Sequence, residues 1–92
     1  MFVATVKAEL HLPHAQSLKD KRQVVNSIKD KLRQSFNISI AEVDLMDDRQ
    51  QVVLGIAMVS NEMSHLQGAM QKIVEALRSH PVAELAKYEL DA

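Results

Sequence analysis

The residues best suited to chemistry in this chain are basic side chains that recur along one predicted helix. The segment 17–36 reads SLKDKRQVVNSIKDKLRQSF, and its apolar residues recur at the period of a helix that lies on a core. These apolar residues are Leu18, Val25, Ile28, Leu32 and Phe36. A second stripe lies beside them at the spacing i, i+3, i+7, i+10, i+14, and we call it the basic flank: Lys19, Arg22, Asn26, Lys29 and Arg33. Because residues at this spacing share one side of a helix, the four cations of the basic flank are predicted to face a polyanion together.

Three cations, Lys19, Lys21 and Arg22, fall in the first turn of this helix. The helix dipole is positive there, so each cation costs roughly a few tenths of a kcal/mol of helix stability. Ser17 is the predicted N-cap, and Asp20 follows three residues later in an acidic form of the capping box. The free backbone N–H groups of this turn and its cations predict an anion site for a phosphate of RNA, a nucleotide or an acidic protein patch. The alternative is a solvated run of charge that Asp20 partly neutralises.

The charge of the chain is unevenly distributed. Residues 17–36 hold six of the 11 Lys and Arg residues but only two of the 12 Asp and Glu residues. The formal net charge is −1, whereas domains that bind nucleic acid over their whole surface are usually strongly basic. An RNA-binding or anion-binding surface is therefore predicted to be local, with the residue set Lys19, Lys21, Arg22, Asn26, Lys29 and Arg33.

The composition predicts one small globular domain, residues 1–92. Hydrophobic residues make up 47% of the chain, which contains only two Gly and two Pro, as is typical of a folded domain rather than a disordered segment. No cysteine is present, so disulfide bonds and thiol catalysis are excluded. Lys7 and Glu9 interrupt the apolar N-terminal run, so we predict no signal peptide, no membrane span and a cytoplasmic location.

Hydrophobic periodicity predicts six elements in the order strand, helix, strand, strand, helix, strand. Strands are predicted over 2–12, 38–45, 51–60 and 82–90, and helices over 17–36 and, from its apolar residues, 63–77. Asn37 is placed to end the first helix in a left-handed conformation, and Ser60 or Asn61 to cap the second. The alternation slips near Ala41, which predicts a β-bulge. Two right-handed crossovers joined by a hairpin predict an α+β, ferredoxin-like βαββαβ sandwich, with strand order 4-1-3-2 and both helices on one sheet face.

The sheet face opposite the helices is predicted to be open and more apolar than most water-facing surfaces. It would carry side chains of the first and third strands, namely Val3, Thr5, Lys7, Val53, Gly55, Ala57 and Val59. A homodimer is the simplest way to cover this face, and its predicted contact residues are Val3, Thr5, Val53, Ala57 and Val59. An alternative function follows from the same face: a dimeric regulatory domain that binds a metabolite at the subunit boundary.

Four short runs carry a resemblance to a known family: SLKDKR (17–22), FNIS (36–39), AEV (41–43) and VSN (59–61). Together they resemble the YlxP-like family of small bacterial proteins of unknown function, over nearly the whole chain. The resemblance implies a ferredoxin-like fold, a cytoplasmic location and no established enzymatic activity. Family members are often encoded near genes for translation initiation and ribosome maturation, including ribosome-binding factor A, which implies a role beside the ribosome. Because Glu42 lies in the AEV run, we expect it to form a structural salt bridge, to Arg22 or Lys21.

No complete catalytic, metal-binding or cofactor-binding pattern occurs, so we predict a non-enzymatic protein without a cofactor. The predicted function is association with the ribosome or its RNA through the basic flank. The predicted central strands offer no aromatic residues for stacking, so RNA binding should depend on charge and salt rather than on base identity. A less favoured alternative is an enzyme of the acylphosphatase kind, which uses this fold with a phosphate-cradling loop after the first strand. Here that loop, 12–17, has neither Gly nor Arg.

Overall fold

The chain folds into a four-stranded sheet with two helices packed on one face. The computed structural model describes residues 1–92. Its elements are β1 (Phe2–His11), α1 (Leu18–Ser35), β2 (Ser39–Asp44), β3 (Gln51–Ser60), α2 (Met63–Arg78) and β4 (Glu84–Asp91). The predicted ferredoxin-like order is confirmed. Neither helix is both long and apolar enough to cross a membrane.

The sheet is antiparallel throughout and has the spatial order β2-β3-β1-β4, as predicted. β1 and β3 form its centre, paired along their full length from Phe2 with Ser60 to His11 with Gln51. β2 and β4 each pair with one neighbour only, so they are the two edges of the sheet. α2 lies over β1, β3 and β4, while α1 lies nearest β2. One flank of α1 is therefore placed beside the edge strand β2.

Period-two alternation in the two central strands builds the core. The residues that face the helices are buried in both strands: Ala4, Val6, Ala8 and Leu10 in β1, and Val52, Leu54, Ile56 and Met58 in β3. Apolar residues at helical spacing cover them, namely Val25, Ile28 and Leu32 of α1 and Leu66, Met70, Ile73 and Leu77 of α2. All of these residues belong to one continuous apolar cluster. The core therefore fixes the orientation of α1 and turns its polar flank outward.

The start of α1 follows the predicted cap. The Oγ atom of Ser17 accepts a hydrogen bond from the backbone N–H of Asp20 at 3.0 Å. The carboxylate of Asp20 accepts from the backbone N–H of Gln16, also at 3.0 Å, and not from that of Ser17. The capping box is thus shifted by one residue toward the N-terminus, and the Asp20 carboxylate is hydrogen-bonded within the chain.

Two predicted helix ends are wrong. The C-cap of α1 is Phe36, which has an extended backbone with φ −138° and donates its N–H to the backbone oxygen of Leu32. Asn37 does not adopt the predicted left-handed conformation. The N-cap of α2 is Glu62, whose side chain makes no capping hydrogen bond. The hydroxyl of Ser60 accepts a hydrogen bond from the backbone N–H of Glu62, before the helix begins. Because the N–H of Phe36 already binds a carbonyl oxygen of the last helical turn, α1 ends without a left-handed residue at Asn37.

The predicted bulge in β2 lies between Glu42 and Asp44, two residues beyond the predicted position. The side chain of Val43 lies against Gly55 of β3, and a Cβ atom built on Gly55 would be 2.9 Å from Cγ1 of Val43. A side chain at position 55 would therefore have to displace Val43, and glycine allows the two strands to approach here.

Candidate anion-binding surface

The basic flank of α1 lies beside β2, the edge strand of the sheet. Arg33 donates from Nη2 to the backbone oxygen of Ile40 at 3.3 Å, which places the C-terminal end of the flank against β2. Lys19, Arg22, Asn26 and Arg33 are exposed, and Lys29 is half-buried. The residues that helical spacing grouped together are thus together in the structure, on a surface open to solvent.

The four cations of the basic flank have no acidic partner in the chain. Four ion pairs form within the molecule: His11 with Glu84, Lys21 with Glu42, Arg78 with Glu75, and Lys87 with Glu9. None of them involves Lys19, Arg22, Lys29 or Arg33. Arg33 uses one guanidinium nitrogen on Ile40, and the other N–H groups of the fork remain to bind a phosphate or carboxylate.

Lys21 does not belong to the binding surface, which corrects the predicted set. It is 1% exposed, and its Nζ lies 2.6 Å from Oε2 of Glu42. The ammonium also donates to the backbone oxygens of Leu45 at 2.7 Å, Asp48 at 2.6 Å and, more weakly, Met46 at 3.5 Å. The salt bridge expected for Glu42 is confirmed, with Lys21 as its partner. Lys21 is a structural residue that ties α1 to the β2–β3 turn.

The ammonium of Lys21 and the carboxylate of Glu42 form a close, largely buried ion pair. The carbonyl oxygens of Leu45 and Asp48 accept hydrogen bonds from the same ammonium. Leu45 is in the left-handed region at φ 54°, the only non-glycine residue with positive φ. For a side chain such as leucine this conformation costs about 1–2 kcal/mol, and the short bond from Lys21 offsets part of that cost.

The predicted anion site at the N-terminus of α1 lacks two of its predicted components, a free N–H at Asp20 and the cation of Lys21. The N–H of Asp20 is bonded to Ser17, and the N–H of Lys21 returns to the backbone oxygen of Ser17. The Asp20 carboxylate accepts the N–H of Gln16. With Lys21 turned inward, the cations that remain at this end are Lys19 and Arg22, which are part of the basic flank.

The loop between β1 and α1 is joined to the β2–β3 turn and does not cradle phosphate. Three of its five backbone N–H groups are already used: Leu12 donates to Gln50, Ala15 donates to Leu12, and Gln16 donates to Asp20. The Gln50 side chain donates in turn to the oxygens of Pro13 and Ala15. A phosphate-binding loop of the acylphosphatase kind needs such N–H groups free and converging, so this geometry does not favour that alternative.

Two ionisable groups outside the basic flank have shifted pKa values. Backbone N–H groups of Gln50 and Gln51 bind Asp48 and lower the pKa of its carboxyl group, with smaller contributions from the charges of Lys21 and Arg49. Burial lowers the pKa of His80, and the nearby charge of Lys31 adds to this effect. Neither residue lies on the basic flank. No three His, Asp or Glu side chains lie close enough together to hold a metal ion.

The structure changes the predicted contact set of the open sheet face at one position. Val53, one of the five predicted dimer-contact residues, is only 3% exposed within the single chain, in a depression walled by Leu45 and by side chains of β1 and β4. The other four remain accessible, with Val3, Thr5 and Val59 exposed and Ala57 half-buried. A homodimer through this face stays a prediction, and Val53 is removed from its contact set.

Charge also divides the open face. Glu9 of β1 and Lys87 of β4 form an ion pair at 3.2 Å, and Lys7 lies opposite Glu89 in the same pair of strands. Small residues of β2 and β3, Ala41 and Gly55 among them, line a neighbouring groove that Lys7 and Glu89 border. The apolar part of the face is thus confined to the β2–β3 half and to the end that carries Val3 and Val59.

One surface feature was missed from the sequence: a groove between the C-terminal end of α1 and the first half of α2. Phe36, Met58, His65, Gly68 and Lys72 contribute to its lining. The sequence signal that pointed to it was Gly68, a glycine inside a helix, where glycine is unfavourable unless something requires it.

Comparison with known proteins places the chain in a family. Residues 3–90 match the model of the family described as "Protein of unknown function (DUF503)". The chain belongs to this family. The chain is also similar in sequence to the uncharacterized protein YlxP of Bacillus subtilis (strain 168). The two are 30% identical over 82 residues, which cover 89% of each chain. The resemblance inferred from the four short runs is therefore confirmed.

A solved structure similar to this DUF503 chain is the solution NMR structure of a de novo designed protein with a ferredoxin fold. The two share a TM-score of 0.59 and 16% sequence identity, with 100% of this chain and 87% of the designed chain covered. At this identity the similarity shows the fold alone, and it agrees with the βαββαβ architecture.

Proposed function

We propose that this DUF503 protein is a non-enzymatic cytoplasmic protein that associates with the ribosome by binding phosphates of its RNA along the basic flank. The observation that carries the proposal is that Lys19, Arg22, Lys29 and Arg33 share one flank of α1, with all but Lys29 exposed, and form no ion pair in the chain. Unpaired cations gathered on one surface of an otherwise acidic protein raise the local concentration of a polyanion.

The dimensions of the basic flank suit an extended backbone. From Lys19 to Arg33 it covers about 21 Å along the helix axis, enough to meet several successive phosphates. Its two arginines can each bind a phosphate through paired N–H groups, and the amide of Asn26 adds a neutral donor between them. Phosphate contacts of this kind fix position and carry no sequence information.

The choice of the ribosome over other polyanions rests on the family resemblance, which implies a gene neighbourhood of translation initiation and ribosome maturation. The structure supports a charge-dependent mode of binding. Val3 and Thr5 of β1 and Ala57 of β3 occupy the open face where an RNA-recognition sheet would present stacking aromatic side chains.

Charge reversal of the basic flank tests the proposal. We expect the variant K19E/R22E/K29E to lose cosedimentation with ribosomal subunits at low salt while its far-UV circular dichroism spectrum stays that of the parent. The matched control is K7E/K31E/R78E, which changes the net charge by the same amount at exposed positions off the flank. We expect the control to cosediment as the parent does. Equal retention of both variants, or equal loss, contradicts a specific role for the flank.

The salt dependence gives a quantitative check. Four phosphate contacts to a single-stranded RNA predict a slope of about −2.8 for log affinity against log salt, or roughly 50-fold weaker binding between about 50 and 200 mM salt. Reversal of three cations should make this slope markedly shallower for whatever binding is left. A slope near zero in the parent protein would show that binding is not electrostatic.

A further inference from the structure

The groove between α1 and α2 is a shaped depression outside the basic flank. Its volume is about 420 Å³. The ring of Phe36 is half-buried at one wall, and the nearly buried side chain of Met58 lies in the lining. The groove therefore offers a flat apolar surface that solvent can reach.

Gly68 is the residue in this groove that the fold itself does not explain. It lies inside α2, where glycine costs about 1 kcal/mol relative to alanine. A Cβ atom built there would meet nothing within 4 Å, so no packing contact in the chain requires glycine. The missing side chain keeps the space above α2 open beside Phe36, as close approach of a ligand would require.

The charge of the groove selects the class of ligand. Its lining includes Lys72 and His65 and contains no carboxylate, although the chain has 12 Asp and Glu residues. Neither Lys72 nor His65 forms an ion pair in the chain. An occupant with a flat apolar part and a negative charge matches both features, and a nucleotide unit has both.

The groove continues from the basic flank. Arg33, the last cation of the flank, lines a shallow depression together with Ser35, Phe36 and Asn37. The same three residues also line the groove. A backbone that follows the flank toward the C-terminal end of α1 therefore reaches Phe36 directly.

We propose that the groove seats one base of a single-stranded RNA whose phosphates lie along the basic flank. The base stacks on Phe36 and Met58 over Gly68, and Lys72 binds an adjacent phosphate. The inference rests on the proposed function for the identity of the ligand as RNA. Because every base presents an aromatic face, the seat makes binding dependent on the presence of a base while leaving it tolerant of sequence.

Two labelled probes of equal length test this seat: an oligoadenylate and an abasic oligomer with the same phosphates. We expect the parent protein to bind the oligoadenylate roughly tenfold more tightly than the abasic oligomer, which is the order expected for one stacked base. G68Q, which fills the groove with a neutral side chain, should bring this ratio to about one and leave abasic affinity unchanged. F36L, which keeps an apolar residue but removes the ring, should do the same.

The control is A76Q, which adds a neutral amide side chain to an exposed α2 position outside the groove lining. We expect A76Q to keep the parent ratio, and melting followed by circular dichroism should show G68Q at least as stable as the parent because glutamine favours a helix over glycine. A G68Q protein that is folded and has lost the ratio supports the seat even if F36L proves unstable.

The results that overturn the seat differ from those that overturn the flank. Equal affinity of the parent for both probes, or an unchanged affinity ratio in G68Q, contradicts the proposed base site in the groove but not the proposed role of the basic flank. Unchanged affinity of K19E/R22E/K29E for both probes overturns the role of the flank but not the seat, and absence of binding of the parent to either probe overturns both. If G68Q loses cosedimentation with ribosomal subunits but keeps the parent ratio, a protein surface occupies the groove and the seat is wrong.

Discussion

Replacement of Lys21 by methionine should destabilise the fold strongly although a lysine in the first turn of a helix is usually a surface residue. Lys21 is 1% exposed, and its ammonium has short contacts to Glu42, Leu45 and Asp48. In K21M the two carbonyl oxygens lose their donor, at about 1 kcal/mol or more each. The Glu42 side chain, 19% exposed, is left without its counter-charge. Breaking a buried pair from one side costs about 3–5 kcal/mol, and we expect the unfolding free energy to fall by that amount.

The measurement is urea unfolding followed by circular dichroism, since the chain has no tryptophan. A domain of this size has a total stability of about 5–15 kcal/mol, so K21M should be marginal, and its melting temperature should fall by about 12 °C or more. The matched control is K19M, two residues earlier in the same turn, where an exposed side chain without an ion pair is removed. We expect K19M to change the stability by less than about 0.5 kcal/mol.

The double variant K21M/E42L separates the two contributions. It removes the orphan carboxylate and should recover part of the lost stability, while the carbonyls of Leu45 and Asp48 remain without their donor. If K21M and K19M have equal stabilities within error, the contacts of Lys21 do not stabilise the fold and the reasoning is wrong.

The two glycines should respond to alanine in opposite directions: G55A should lose about 1–3 kcal/mol because the new methyl group would lie 2.9 Å from Val43, and G68A should gain about 0.5–1 kcal/mol because its Cβ meets nothing. Urea unfolding of both variants measures this, and a loss in G68A would show that the fold does need glycine there. His80 should make the protein less stable below about pH 6.5, because a lowered folded-state pKa means that the unfolded chain binds the proton more readily. In H80Q the fall in unfolding free energy between neutral and mildly acidic pH should be smaller, and an unchanged pH profile would contradict this assignment.

The fold was predictable because periodicity in the long elements is unambiguous. Residues of β1 alternate without interruption, and α1 combines a helical apolar stripe with a working Ser17 cap, so local preference and tertiary packing agree. The helix ends were less predictable. α1 ends with a hydrogen bond from the backbone N–H of Phe36 to the backbone oxygen of Leu32, and because any residue except proline can donate this bond, it cannot be recognised from residue type.

The candidate site was predictable in part. Helical spacing grouped Lys19, Arg22, Lys29 and Arg33 on one flank, because α1 is regular over its whole length. The same spacing cannot show that Lys21 turns inward, since this depends on carbonyl oxygens that lie 24 and 27 residues away in the chain. The same limit explains why burial of Val53 was missed: the bulged β2 and the left-handed turn that surround it are tertiary features.

The contacts of Lys21 also decide how the β2–β3 turn can vary. At Leu45 and Met46 the ammonium binds main-chain oxygens, which every amino acid possesses, so these contacts place no demand on the side chains at those positions. Both side chains point largely into solvent, at 44% and 57% exposure. Met46 is therefore free to change in sequence as long as the lysine that holds its backbone is kept, whereas the position of Leu45 must adopt φ 54° and Asp48 must accept the N–H groups of Gln50 and Gln51.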